Sequence, residues 1–291
     1  MTQTSLLTRF LGYYYRSELR GSYFLTDILS QRLKSLQSLP IEVESGTLYA
    51  DLRISSARNL LVEPKSLTGE SLVMRHVVRS GDVVFDIGAH FGFYTVPLSE
   101  IVGDTGKVYA FEPNPELFSS LRQTIAERRN VELLPFALWH RRAHLELFVP
   151  EDASMASLSD WTDGTAGNIH RIECEAYSID DLIEEGRVKE PSFIKCDVEG
   201  AEFSVFRGAL KNLNRVDAPV ILFEVVKLAA KSFGMTIGEY FDILETLEKP
   251  GYVFFEVTPY GIRRLASREI KYANVLAVPD SKLSWCLDIL A

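Results

Sequence analysis

Val83-Val84-Phe85-Asp86-Ile87-Gly88-Ala89-His90-Phe91-Gly92 is an apolar run that breaks at Asp-x-Gly and passes into a helical pattern. That order describes the first strand, turn and helix of an open α/β sheet, because glycine lets the backbone approach a ligand that a Cβ would exclude. A second apolar run, Val108-Tyr109-Ala110-Phe111-Glu112-Pro113, carries an acid at its end. Its position is where a dinucleotide-type fold puts the carboxylate that accepts from ribose hydroxyls. The two stretches set two acids and a tight turn where a nucleoside-bearing cofactor would sit, and so point to an enzyme.

Outward from this core, further apolar runs occur at 131–138, 193–197, 220–225, 253–257 and 274–279, with helical patterns at 94–102, 116–128, 199–210 and 237–247. Runs buried on both faces and separated by helices describe a parallel, doubly wound α/β sheet. Thr236 is placed to cap the last of these helices. The link 258–272 is too short for a crossover helix, so the final two runs form an antiparallel hairpin at one edge, for seven strands in all. Between the third and fourth runs lies an insertion, 139–190, with strand-like pieces at 144–149 and 172–176 around a polar loop, 151–167. Long loops beside a crevice commonly carry ligand contacts.

Upstream, residues 1–38 place apolar side chains at helical spacing and Pro40 closes the segment. Residues 41–61 read as a hairpin turning at Ser45-Gly46, followed by an apolar helix at 72–78. The chain therefore divides into an N-terminal helical and hairpin extension, 1–64, acting as a cap or a dimer contact, and a main domain, 65–291.

Bulk composition narrows the classes. The 291 residues are 46% hydrophobic, enough for a full core, and 31 Lys and Arg stand against 40 Asp and Glu for a formal charge of -9. No basic cluster is present, which argues against a nucleic-acid partner. Cys174, Cys196 and Cys286 are too scattered for a disulfide framework or a zinc site and fit a reducing, cytoplasmic setting. No apolar run reaches the eighteen residues a bilayer span needs. Phe10, Leu11, Tyr13, Tyr14 and Tyr15 beside Arg9, Arg16 and Arg20 would suit an interfacial helix that touches lipid, or more plainly a helix packed on the domain or on a second subunit.

His90 and Phe93 stand where a G-x-G-x-x-G fingerprint has its second and third glycines, which counts against a nicotinamide or flavin dinucleotide. A cofactor without phosphates, such as S-adenosylmethionine, does not need the backbone that close. Asp86 would then face the cofactor's amino acid moiety or the pocket floor, and Glu112 its ribose. Glu112 taken alone could instead cap the helix near Pro115. Phe136, Ala137 and Leu138 form the natural adenine wall. Gly88, Ala89, His90, Gly92, Pro113 and Asn114 complete the cofactor set, together with Glu70 at the head of helix 72–78 and with Asp197.

The reaction centre is expected in Ile194-Lys195-Cys196-Asp197-Val198-Glu199-Gly200-Ala201-Glu202. Asp197 could be a helix N-cap with Glu199 and Glu202 answering the helix dipole. Against that, Lys195 points to the same side as Asp197, and a Lys-Asp pair at a crevice is costly to keep without a use. Glu224 ends the next run on the same rim. His170, in the insertion, is a minor candidate base. Ser154-Met155-Ala156-Ser157-Leu158 offers hydroxyls, though such loops are often only loops.

Asp86-Ile87-Gly88-Ala89-His90-Phe91-Gly92, Phe111-Glu112-Pro113-Asn114, Ala156-Ser157-Leu158, the 194–202 block and Asn274-Val275-Leu276-Ala277 together resemble the FkbM family of S-adenosylmethionine-dependent methyltransferases, over roughly residues 65–280. His90 stands where that family usually has Asn, and Thr124 where a helix Asn is common. The resemblance implies a class I methyltransferase Rossmann-like fold and, in most members, O-methylation of a sugar or natural-product hydroxyl, with S-adenosyl-L-homocysteine as product. In-line attack would be aided by Asp197 as general base, with Glu199, Glu224 or His170 behind it and Lys195 orienting the acid. A variant has Asp197, Glu199 and Glu224 holding Mg2+. The other readings are an NAD-linked oxidoreductase and a non-catalytic binding module. The expected partner is a small-molecule or glycan hydroxyl acceptor, with a homodimer as an open arrangement.

Overall fold

The structure is a computed structural model that describes residues 13–14, 28–62, 68–162 and 167–290. Most of the proposed N-terminal helix, including Phe10, Leu11, Tyr15 and the flanking arginines, lies outside the described residues.

An antiparallel hairpin, β1 (Leu39–Val43) and β2 (Gly46–Ala50), precedes two helices, α1 (Ser55–Val62) and α2 (Thr68–Val77). Its loop is Glu44-Ser45, with Val43 paired to Gly46, one residue earlier than the sequence reading placed the turn. The expected hairpin also stops short of residue 61, because Ile54, Ala57, Leu60 and Leu61 recur at helical spacing and all are buried.

The main sheet runs β12-β11-β13-β10-β9-β3-β4-β5. Its parallel half joins β3 (Val83–Ile87), β4 (Lys107–Phe111), β5 (Val131–Leu134), β9 (Phe193–Cys196) and β10 (Val220–Val226). β13 (Tyr272–Pro279) is antiparallel to both β10 and β11 (Tyr252–Thr258), so the expected edge hairpin is present. The seven expected strands become eight, because the link after β11 turns back as β12 (Gly261–Arg264) and buries Ile262.

Side-chain alternation builds the two cores. Val84, Val108, Leu222 and Leu276 pack under α2 and α3 (Thr95–Val102), while Phe85, Phe111 and Phe223 pack under α6 (Glu202–Arg207) and α9 (Ile237–Glu245). Glu239 accepts from the Thr236 backbone N–H at 2.7 Å, so Thr236 opens α9 as expected. The helix expected at 199–210 starts late and divides, with α7 (Leu210–Leu213) separate from α6.

The run 131–138 is not one strand. Pro135 has no N–H to donate, and the chain leaves the main sheet there, re-forming as β6 (Ala137–Leu138). β6 pairs with β8 (His170–Tyr177), which pairs with β7 (Ala143–Val149), so the insertion builds its own small sheet. The β1–β2 hairpin is fastened to α4 (Phe118–Ile125), where the Tyr49 N–H donates to the Thr124 hydroxyl at 3.0 Å. No described helix is long and apolar enough to cross a membrane.

Candidate active site

A cavity of about 430 Å³ opens where β3, β4, β9 and β10 end. Its floor is Ile87, Gly88, Ala89 and His90, its sides are Glu112 and Pro113 against Asp197, Val198 and Glu199, and Glu224 stands at the β10 end. Phe136, Ala137 and Leu138 form an apolar wall, and Ser56 and Asn59 of α1 line it beside Ala153, Ser154 and Leu158 of the insertion. Parallel strands that all present their carboxyl ends on one side make such a crevice the natural ligand site of this sheet type.

The turn after β3 is clamped from both sides. The N–H groups of Gly88 and Ala89 donate to the Phe111 carbonyl at 3.0 Å each. A Cβ on Gly88 would lie 1.9 Å from the Asp197 carbonyl oxygen, and its φ of +84° is one that side chains avoid. Glycine here therefore serves both chain conformation and the approach of β9. Gly92 serves packing instead, since a Cβ there would meet Thr124 Cγ2 at 2.8 Å; it does not line the cavity.

Asp86 lies one layer beneath the floor rather than on it. It is fully buried, its Oδ2 accepts from the Thr95 hydroxyl, and its Oδ1 has no partner among the described residues. Burial pushes its pKa up to about 6, against the opposing Thr95 hydrogen bond. It reaches Thr95 at the start of α3 and does not line the cavity.

Glu112 is held by the backbone. Its Oε2 accepts from the His90 N–H and its Oε1 from the Asn114 N–H, both at 2.8 Å. The cap of the short helical turn after it is Asn114, whose Oδ1 accepts from the Glu116 N–H, so Glu112 is free of that duty. Burial raises the Glu112 pKa to about 7 despite those two donors. Each oxygen keeps a lone pair for a cavity ligand. His90 adopts φ of 54°, its ring packs edge-on to Phe91 at 4.6 Å, and burial lowers its pKa to about 4, leaving it neutral.

At the opposite end, Lys195 Nζ meets Asp197 Oδ2 at 3.1 Å and sits over the Tyr94 ring at 4.6 Å. Burial works against the ammonium, but Asp197, Tyr94 and Glu224 outweigh it and hold its pKa above the normal value. Asp197 is not a helix cap, since α6 begins at Glu202 with Ala201 at the cap position. The loop between them is pinned by the Glu202 carboxylate, which accepts from the Val198 and Gly200 N–H groups, by Tyr240, which donates to the Gly200 carbonyl, and by Ser157, which donates to the Glu199 carbonyl. Held this way, Glu199 takes a left-handed φ of 51°, a strained conformation of the kind that concentrates at functional sites.

Oxygens of Asp197, Glu199 and Glu224 lie within 4.8 Å of one another, close enough to share a cation. Burial, with the Asp197 charge next in weight, raises Glu199 to about 9 and Glu224 to about 8.

Other expected residues fall elsewhere. His170 is on the surface, its Nε2 paired with Glu116 at 3.0 Å, and does not line the cavity. Glu70 accepts from Asn274 Nδ2 at 2.8 Å, and neither it nor Asn114 nor Lys195 lines the cavity. Sequence reading missed Ser56, Asn59, Phe93, Tyr94 and Leu147 on the wall. The helical spacing 54-57-60-61 was the available signal for the first two; Leu147 gave none, because its place depends on how the insertion folds back.

The profile of the Methyltransferase FkbM domain matches residues 86–254. Hexuronic acid methyltransferase AglP of Haloferax volcanii is 27% identical over 160 residues, 54% of this chain and 63% of that protein. Protein-L-isoaspartate O-methyltransferase of Methanococcus maripaludis is 39% identical over 56 residues, 19% of this chain and 26% of that protein. The chain thus spans less than two thirds of each curated relative. Among solved structures, a SAM dependent methyltransferase from Aquifex aeolicus aligns with a TM-score of 0.42 at 18% identity, over 76% of this chain and 95% of that one. Fibrillarin of Aeropyrum pernix, solved with natively bound S-adenosyl-L-methionine, aligns with a TM-score of 0.40 at 14% identity, over 72% and 73%. The profile match covers more than half of the chain and runs from Asp86 in β3 into β11, through the turn, the β4 acid and the 194–202 block that build the cavity; the chain belongs to the FkbM methyltransferase family.

Proposed function

We propose that this protein is an S-adenosylmethionine-dependent O-methyltransferase acting on a hydroxyl of a sugar or natural-product acceptor. The observation that carries the reading is one cavity walled by the Gly88 turn, the backbone-held Glu112 and the Asp197–Glu199 loop. The residues fit the cofactor: Glu112 has lone pairs for ribose hydroxyls, and Phe136, Ala137 and Leu138 give an apolar face for adenine. When bound, the cofactor supplies an electrophilic methyl group on a sulfonium.

In the reaction the acceptor oxygen forms a bond to the methyl carbon while the carbon–sulfur bond breaks and sulfur keeps the electron pair. The hydroxyl proton passes to a carboxylate. Asp197 is the proposed base, oriented by Lys195, with Glu199 and Glu224 beside it to receive the proton onward once they are themselves deprotonated. Within the proposed extension, 1–64, the described helix α1 serves as part of a cap in this reading, supported by Ser56 and Asn59 on the cavity wall. His170 has no part in it.

Titration calorimetry with S-adenosylhomocysteine and transfer of a labelled methyl group to a small-molecule and glycan extract test the proposal. Tight binding with labelling supports it, binding without labelling favours the non-catalytic module, and no binding overturns it. A second reading, in which Asp197, Glu199 and Glu224 hold a divalent ion, is favoured by their spacing; transfer that survives exhaustive chelation removes it.

A further inference from the structure

β13 runs antiparallel to β10, so its first residue, Tyr272, stands at the edge of the sheet where β9 and β10 end and the cavity opens. Its hydroxyl donates to the carboxyl of Glu224, the cavity acid at the β10 end, while 64% of the residue's surface stays exposed. A tyrosine held by its tip and exposed over most of its surface presents its ring to whatever passes Glu224. Two more apolar side chains stand at this edge. The β11–β13 register, carried past Thr258, brings the turn at 259–260 level with Tyr272, and Tyr260 is almost fully exposed there. The Lys227 N–H donates to the Lys271 carbonyl, which sets the exposed Leu228, in α8 (Lys227–Ser232), beside the same strand end.

Of the eight large hydrophobic side chains exposed among the described residues, three are thus at this one edge. A single exposed tyrosine is ordinary, whereas several at the mouth of a ligand cavity mark a contact surface. The surrounding chemistry selects the occupant. The Tyr272 ring is flanked by its own hydroxyl, the Glu224 carboxyl and the exposed Lys227 and Lys271, so donors and acceptors border an apolar face. A pyranose has the matching form, with C–H bonds making one flat apolar face and hydroxyls projecting around its rim. An alkyl chain would gain nothing from the flanking polar groups, and a small anion nothing from the ring.

We infer that Tyr272 is an acceptor-binding residue, a platform on which a pyranose ring of the acceptor stacks as its hydroxyl enters the cavity past Glu224. This rests on the methyl-transfer reading and deepens it, choosing a sugar over other hydroxyl acceptors and giving it a place to bind outside the cofactor's part of the cavity.

The test uses the full chain, tritiated-methyl S-adenosylmethionine and a small-molecule and glycan extract, with Tyr272→Ala and Tyr272→Phe beside the unmodified protein. Product is acid-hydrolysed and label counted in the monosaccharide fraction over a dilution series of the extract. In dilute extract Tyr272→Ala is expected to label monosaccharides at least about tenfold more slowly, and the deficit to shrink as the extract is concentrated, because the ring serves binding and not the transfer step. Tyr272→Phe keeps the ring and should keep most of the rate, and both variants should bind S-adenosylhomocysteine as the unmodified protein does. Four results overturn the inference while leaving methyl transfer standing: unimpaired labelling by Tyr272→Ala, a Tyr272→Phe as slow as Tyr272→Ala, a matching loss of S-adenosylhomocysteine affinity, or label confined to non-carbohydrate product. No label from the unmodified protein strikes down the methyl-transfer reading and this inference with it.

Discussion

Lys195 and Asp197 form an ion pair at 3.1 Å whose two ends differ in burial: the Lys195 side chain has no exposed surface and that of Asp197 is 25% exposed. Removing the carboxylate strands a wholly buried ammonium, whereas removing the ammonium leaves a carboxylate that water reaches. Breaking a buried pair by deleting one partner costs about 3–5 kcal/mol. Asp197→Asn is therefore expected to lose stability in that range, and Lys195→Met distinctly less, when both are unfolded in urea. Both should lose methyl transfer. If Lys195→Met proves the less stable of the two, the ammonium is not the group that needs its partner.

Gly88 is the second point of leverage. A Cβ there would meet the Asp197 carbonyl oxygen at 1.9 Å with φ at +84°, and the left-handed region alone costs an ordinary side chain about 1–2 kcal/mol. The β3 turn and the β9 loop must then separate, which opens the cavity at the place where the proposed base stands. Gly88→Ala is expected to lower Tm by several degrees and to weaken S-adenosylhomocysteine binding at least about tenfold. Gly92→Ala, pressed against Thr124 instead, is expected to cost stability with a smaller loss of affinity.

Much of this arrangement is legible in the chain, for a definite reason. The runs at 83–87, 107–111 and 220–226 are buried on both faces and carry their own signature, and the acids at their ends are marked by the change from apolar to charged. What the sequence concealed depends on contacts between distant segments. Asp86 looks like a ligand group until it is seen to lie beneath the floor with one oxygen taken by Thr95, nine residues on. His170 looks poised until β8 carries it to the outer surface beside Glu116. Pro135 divides one apolar run between two sheets, and Asn114, not Glu112, takes the cap, which frees the acid for the cavity.

Acidic side chains near the proposed base titrate in the working range. Glu224 is raised to about 8 and Glu199 to about 9, chiefly by burial. Both therefore hold protons at neutral pH and release them as pH rises, which strengthens the local negative charge and readies them to accept a proton. The rate of methyl transfer under saturating donor is expected to climb between pH 7 and 9. Glu224→Gln should flatten the lower part of that rise, and a profile identical to that of the unmodified protein would remove Glu224 from the proton path.

Glu112 links stability to the ligand. Its folded pKa of about 7 lies above the value near 4.3 of an unfolded chain, and Asp86 at about 6 and Glu202 at about 7 behave alike. A carboxyl with a raised folded pKa leaves the folded state unpenalised below its unfolded pKa and penalises it fully above the folded one. The ligand-free protein should accordingly lose stability as pH rises from about 4 to about 8. Glu112→Gln removes one titrating group and also turns an amide N–H₂ toward a backbone N–H that the carboxylate satisfies. Its melting temperature should depend less on pH, while its affinity for S-adenosylhomocysteine falls at least about tenfold as the ribose acceptor is lost. A flattened pH dependence with undiminished affinity would mean that Glu112 organises the His90 turn without touching the cofactor.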